Sequence, residues 1–130
     1  MSAETKADAQ DETTAFRPRW GPDGLVPVVA QDEAGGAVLM LAYANEAALR
    51  ATLSTGQAHY WSRSRGTLWH KGATSGATQA VSAVLCDCDQ DALIYLVRAG
   101  GGACHTGRPT CFYRRVGADS NDRLNLTFTG

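Results

Sequence analysis

Residues Leu25 to Tyr43 read LVPVVAQDEAGGAVLMLAY: two short, apolar, partly β-branched runs, 25 to 31 and 37 to 43, separated by Asp32-Glu33-Ala34-Gly35-Gly36. Such runs on either side of a five-residue loop with glycines predict a β-hairpin. Pro27 has no N–H to give to a ladder, so the first strand is expected at a sheet edge or with the proline at its beginning. Directly afterwards, Asn45 precedes Glu46-Ala47-Ala48-Leu49-Arg50 and Gly56 follows Thr55, which marks a capped helix. Further strands are predicted at 58–63, 67–71, 79–88, 92–98 and 110–116, where apolar runs are punctuated by Gly-rich or Ser-rich turns. The fold class expected is α+β, mainly antiparallel sheet with one principal helix. The run 124–128 is compatible with a last strand or with a loosely attached tail.

A chain of 130 residues fits one domain with a core of its own. Residues 1–15 are polar and lack apolar periodicity, which suggests a flexible tail with no catalytic part. The domain is expected over 16–116, with 117–130 as a C-terminal extension. No apolar stretch approaches the ~20 residues of a membrane-spanning helix, and the amino terminus lacks a basic segment followed by an apolar one, so a cytoplasmic location is expected. Net charge is −1, but Glu4, Asp8, Asp11 and Glu12 against Lys6 place −3 in the first fifteen residues and leave +2 on the rest. Arg63, Arg65 and Lys71 lie close together on that mildly cationic body, which favours an anionic small molecule. Nucleic acid is not expected, because that calls for a strongly basic domain.

Three segments carry chemistry. In Asp87-Cys88-Asp89-Gln90-Asp91, carboxylates beside apolar runs are costly unless paired, hydrated or metal-bound. If the segment is extended, alternation puts Asp87, Asp89 and Asp91 on one face and Cys88 on the other, offering oxygen donors suited to Mg2+ and sulfur suited to Zn2+. The plain alternative is a solvated turn. Farther on, Gly100 to Phe112 embeds Cys104, His105 and Cys111 among glycines, a plausible metal loop. Cys88, Cys104 and Cys111 with one open position would make a catalytic zinc site, whereas adding Cys86 would close a structural four-thiol site. Cys86 sits in an apolar run, as a small buried hydrophobe does. His105 is a candidate for proton transfer, and His59 reads as a packing or hydrogen-bonding residue. The third segment, Tyr60 to Gly76, combines Trp61, Ser62, Arg63, Arg65, Trp69, His70, Lys71, Thr74 and Ser75. Guanidinium forks, an ammonium and hydroxyls suit phosphates, and an indole can stack on a base, although an ordinary exposed basic hairpin looks the same. Ser62 and Ser64 would oppose Arg63 and Arg65 if the strand continued through them.

Trp61-Ser62-Arg63-Ser64-Arg65 with Leu68-Trp69-His70-Lys71-Gly72, then Asp87-Cys88-Asp89-Gln90-Asp91, then Cys104-His105-Thr106-Gly107 with Cys111-Phe112, together resemble the phosphoribosyl-AMP cyclohydrolase family, over about 24 to 116. The resemblance implies hydrolysis of the N1–C6 bond of the adenine ring of 1-(5-phosphoribosyl)-AMP, the third step of histidine biosynthesis. It also implies an obligate-type homodimer holding one Zn2+ per subunit, with Cys88 of one chain meeting Cys104 and Cys111 of the other, and Mg2+ on Asp87, Asp89 and Asp91. Cys86 is then the spare thiol. With so little chain after Val116, a single-function form without a fused pyrophosphohydrolase is expected. Catalytic roles fall to His105 and Lys71, and substrate binding to the nine residues of the third segment. Ala44, Ala73 and Ala77 depart from the family pattern, which commonly has Met at the first and Glu and Asn at the others. Two other readings are a zinc nucleobase deaminase, whose His-x-Glu and Pro-Cys-x-x-Cys signature does not occur here, and a non-enzymatic zinc module that binds RNA through the basic hairpin. The latter predicts a monomer with all four cysteines on one ion.

Overall fold

The computed structural model describes residues 12–129, so the first eleven residues of the expected tail lie outside the described residues. The elements are β1 (Val26–Asp32), β2 (Val38–Ala44), α1 (Glu46–Thr55), β3 (His59–Ser62), β4 (Thr67–His70), β5 (Gln79–Cys86), β6 (Leu93–Ala99), β7 (Arg114–Ala118) and β8 (Leu124–Phe128). They form a four-stranded sheet in the order β2-β1-β6-β5 and two hairpins, β3-β4 and β7-β8. The expected α+β class holds, and the helix is where the caps put it. Asn45 Oδ1 accepts the Ala48 N–H at 2.9 Å, and Gly56 adopts φ 72° while donating its N–H to Thr52. That left-handed turn suits glycine, which has no Cβ to clash.

Several expectations need correction. The β1-β2 hairpin forms as read, but β1 is an inner strand, because it also pairs in parallel with β6. The edge alternative for Pro27 therefore falls, and the other holds. The parallel ladder begins at Val28, so the proline precedes the place where its missing N–H would be needed. β3 stops at Ser62, and 63–66 form a tight turn, so Arg63 and Arg65 do not alternate with the serines on a strand. β5 stops at Cys86, two residues early. The strand expected from Thr110 starts at Arg114 and pairs with Leu124–Phe128, so the 124–128 run is a strand. The boundary expected at Val116 falls inside β7.

One sheet face carries the core. Val26, Val28 and Ala30 of β1 and Leu93, Tyr95 and Val97 of β6 pack with Ala48 and Leu49 of α1 and with Ala58 and Tyr60. Each valine or leucine among them contributes on the order of 1.5–3 kcal/mol by leaving water. The polar groups of Thr52, Tyr95 and Tyr60 within this core are satisfied: Thr52 Oγ1 donates to Ala48 O and accepts the His59 N–H, the Tyr95 hydroxyl donates to His59 O, and the Tyr60 hydroxyl donates to Gln79 Oε1. This network fixes how the β3-β4 hairpin sits on the sheet.

The opposite face is also apolar. Cross-strand pairing lines up Leu41, Val29, Ile94 and Leu85 in one row across all four strands. A second row runs Val38, Gln31, Leu96, Ala83. Leu41 and Leu85 are 48% and 45% exposed. Val38, at the end of the second row, is 46% exposed.

Candidate functional site

The segments singled out in the sequence separate into two places. The first is a cleft of about 850 Å3 between the β3-β4 hairpin, the loop that follows it and the Cys104 loop. Arg65, Trp69, His70, Lys71, Thr74, Ser75, Cys104 and His105 all line it. Trp61, Ser62 and Arg63 do not. The Arg63 guanidinium lies 3.9 Å from the centre of the Tyr43 ring, and the Ser62 hydroxyl is occupied in the turn, accepting the Arg65 N–H at 3.3 Å.

Lys71 opens the lining loop, and its N–H is bonded to Ala58 O at 3.0 Å. The residue is only 6% exposed, and its ammonium stands 5.7 Å from the centre of the Trp69 ring. The ion pairs among the described residues are Arg50 with Glu46 and Arg98 with Glu33, so the Lys71 charge is left to the cleft. Gly72 at φ 81° folds the loop so tightly that a Cβ there would run into the backbone of Ala77 and Thr78. His70 is stacked on His59, with ring centres 4.5 Å apart, and its Nε2 is buried without a hydrogen-bond partner among the described residues. His59 is bonded through Nδ1 to Gln57 O at 2.8 Å, as a packing and hydrogen-bonding residue would be.

Cys104 lines this cleft and Cys111 does not, but the two thiols are hydrogen-bonded to each other. The Cys104 thiol is held below its ordinary value, first by hydrogen bonds with the Thr106 side chain and backbone and then by Cys111 and the Arg108 charge. Desolvation pushes the Cys111 thiol up, the Cys104 sulfur beside it adds to this, and Lys71 acts in the other direction. One thiol of the pair is thus disposed to give up its proton first. The Cys111 N–H is bonded to Leu39 O at 2.7 Å, which anchors this sulfur near the start of β2.

Cys88 is not part of this cleft. It lies past the end of β5, in a second cleft of about 260 Å3 with Cys86, Asp87, Gln90 and residues 13–16. Residues 87–91 form a turn rather than an extended segment, so alternation is not what separates Cys88 from the carboxylates. The turn still gathers Asp87, Asp89 and Asp91, whose ligand atoms lie within 4.8 Å of one another. Gln90 adopts φ 60°, and Asp87 Oδ1 accepts the N–H groups of Asp91 and Ala92 at 2.9 and 3.1 Å. Hydrogen bonding to Asp87 and then Asp89 raises the Asp91 carboxyl to about 6. Desolvation works against ionisation of Asp87, but its hydrogen bonds from Asp91 and Ala92 outweigh that and lower it. Three converging carboxylates suit a hard divalent cation, and two adjoining thiols are two-thirds of a soft site. Cys86 is exposed rather than buried; desolvation and the neighbouring carboxylates raise its thiol. Among the described residues no group of three or more ligand atoms brings the cysteines together.

Arg108 is the contributor that the sequence reading missed. It lies between two flagged cysteines, and its proximity to Cys104 arises from a turn that strand alternation does not suggest.

The model of the family described as Phosphoribosyl-AMP cyclohydrolase matches residues 40–113. A protein of Hyphomonas neptunium named "Phosphoribosyl-AMP cyclohydrolase" is 55% identical over 122 residues, covering 94% of this chain and 89% of that one. Proteins of the same name from Haloquadratum walsbyi and Archaeoglobus fulgidus are 49% and 60% identical, covering 95% and 74% of this chain and 94% and 89% of theirs.

Proposed function

The chain belongs to the phosphoribosyl-AMP cyclohydrolase family, and from that premise we propose how its cleft opens the adenine ring of phosphoribosyl-AMP, with zinc and as a homodimer. The reaction, a hydrolysis of histidine biosynthesis, adds water at C6 and breaks N1–C6, leaving the exocyclic nitrogen as a carboxamide. The observation that carries the reading is one cleft lined by a buried lysine with no ion-pair partner among the described residues, an indole, two imidazoles and the Cys104 thiol, which is hydrogen-bonded to Cys111.

Arg65, Lys71 and the hydroxyls of Thr74 and Ser75 face an anionic substrate, and their charge is worth more in a recess than in open water. Trp69 offers its ring to the purine. N1 substitution makes C6 electrophilic, so the attacking water must lose a proton as the bond forms. His105, exposed beside Cys104 on the cleft wall, would take that proton and return it to N1. Cys104 and Cys111 would hold the zinc, which supplies a Lewis acid that makes water nucleophilic at neutral pH. Asp87, Asp89 and Asp91 would hold Mg2+, which suits orientation of phosphate or ribose oxygens.

The third sulfur argues for two chains. Leu39, which anchors Cys111, lies near the start of β2, at one sheet edge. Cys88 follows the end of β5, at the other edge. Three strand spacings across and about five residues along give a separation on the order of 20 Å, too far for one ion. A second copy can supply Cys88, and the apolar outer face is a surface two copies can share. Its rows carry no charge, with Arg98–Glu33 at one end and Arg63 over Tyr43 at the other, the apolar centre and polar rim of an interface. No helix among the described residues is long and apolar enough to cross a membrane; we place the enzyme in the cytoplasm.

Ultraviolet-monitored turnover of phosphoribosyl-AMP, with and without a zinc chelator, tests this directly because ring opening changes the chromophore. Loss of turnover on chelation and recovery with zinc is the expected result. No turnover by zinc-loaded protein with Mg2+ present would overturn the reading.

A further inference from the structure

The role of the C-terminal hairpin is set by what it touches. All ten residues of β7 and β8 are exposed, and an isolated two-stranded hairpin is marginal in water. Its base is nonetheless tied to the thiol loop. Tyr113 and Phe128 stack with ring centres 6.1 Å apart, and the Thr129 N–H and hydroxyl both donate to Tyr113 O at 3.0 Å. The Arg108 guanidinium lies 4.1 Å from the centre of the Tyr113 ring and 5.4 Å from that of Phe128. Arg108 also closes the turn that carries Cys104: its carbonyl accepts the Cys104 N–H at 3.1 Å, and the Gly107 N–H returns to Cys104 O at 2.9 Å. Gly102 lies so close behind this turn that a Cβ there would collide with Gly107.

The loop between the two cysteines is therefore held at two points. At Cys111 it is bonded to the sheet edge through Leu39, and at Arg108 it is clamped onto an aromatic pair whose second ring belongs to β8. We propose that Arg108, Tyr113 and Phe128 form a positioning clamp through which the C-terminal hairpin sets the spacing of Cys104 and Cys111, and with it the affinity for zinc. This rests on reading those cysteines as zinc ligands. The clamp residues touch no substrate; they act through the loop.

Zinc affinity, measured by competition with a chromophoric chelator on the full chain, tests the clamp independently of turnover. Phe128→Ala removes the second ring, and Arg108→Met keeps the side-chain bulk while removing the cation. Each is expected to weaken zinc about tenfold, and the double variant no more than the worse single one, because both break one device. Phe128→Tyr, which restores an aromatic face, should retain wild-type affinity. Arg108→Met removes no apolar side chain and leaves the exposed Val116, Leu124 and Leu126 of the hairpin as they are. Folded Arg108→Met and Phe128→Ala proteins that bind zinc as tightly as wild type would overturn the clamp alone. A wild-type protein that takes up no zinc would instead overturn the ligand reading beneath it.

Discussion

The turn at Asp87–Asp91 and the loop at Cys104–Cys111 contrast in how completely one chain builds them. The turn brings three carboxylates together within five residues, using the Asp87 side chain to bind the N–H groups of Asp91 and Ala92. The loop brings two sulfurs together and leaves the third at the opposite edge of the sheet. An oxygen site of this kind is local and needs only a turn, whereas a three-sulfur site, on the reading proposed above, would need the edges of two chains. The two places should therefore respond differently to the same kinds of perturbation.

The largest expected effect is at the sulfurs. Cys88→Ser and Cys111→Ser should each lower turnover by about a thousandfold or more, because water loses its activation. Unfolding and refolding the two variants together should restore about a quarter of the sites, since half of the dimers formed pair unlike chains and one of their two sites is intact. No recovery on mixing would mean that the site is not shared. Next in size, Ile94→Lys places a charge at the centre of the outer sheet face, where an interface would bury it without a partner. Dimer dissociation should become at least about a hundredfold easier by sedimentation, and zinc affinity should fall with it. An unchanged dimer would move the interface elsewhere. For the acidic turn, Asp89→Asn should weaken Mn2+ binding about tenfold by calorimetry, by removing one of three charged oxygen donors, while the mass of the protein stays the same. That separation is what a site built within one chain requires.

What the sequence made legible follows the same division. The α1 helix was readable because Asn45 and Gly56 act within a turn of the residues they cap, and the β1-β2 hairpin because its loop is short. The parallel β1-β6 pair was not, since more than sixty residues separate Val28 from Leu93 and no local period records who pairs with whom. The carboxylates of Asp87, Asp89 and Asp91 do gather, but not by the alternation of an extended segment: the left-handed Gln90 sits in a turn, the plainer of the two readings the sequence offers. The basic hairpin was read as one phosphate surface, yet its turn sends Arg65 to the cleft and Arg63 to Tyr43. Arg108 was invisible because its partners, Tyr113 and Phe128, come together only when β8 folds back on β7.

The smallest effect separates the two places by pH. Asp91 is raised to about 6 in the fold from an ordinary 3.8, so between those values the native chain holds a proton that the unfolded chain has released. Stability of the metal-free protein must then rise as pH falls through about 6 towards 4. Asp87, shifted downward, acts oppositely and removes stability once pH falls below the ordinary carboxylate range. Together they predict a shallow maximum of Tm near pH 4 to 5 in chelator, set against whatever the rest of the chain contributes. Because these groups are exposed, the contribution should amount to a few degrees at most and shrink with added salt, which screens surface charges. Asp91→Asn should flatten the rise between pH 6 and 4, whereas Cys111→Ser, whose thiol titrates far above this window, should leave it in place. A rise that survived Asp91→Asn would assign the proton to another group and detach the acidic turn from the pH response.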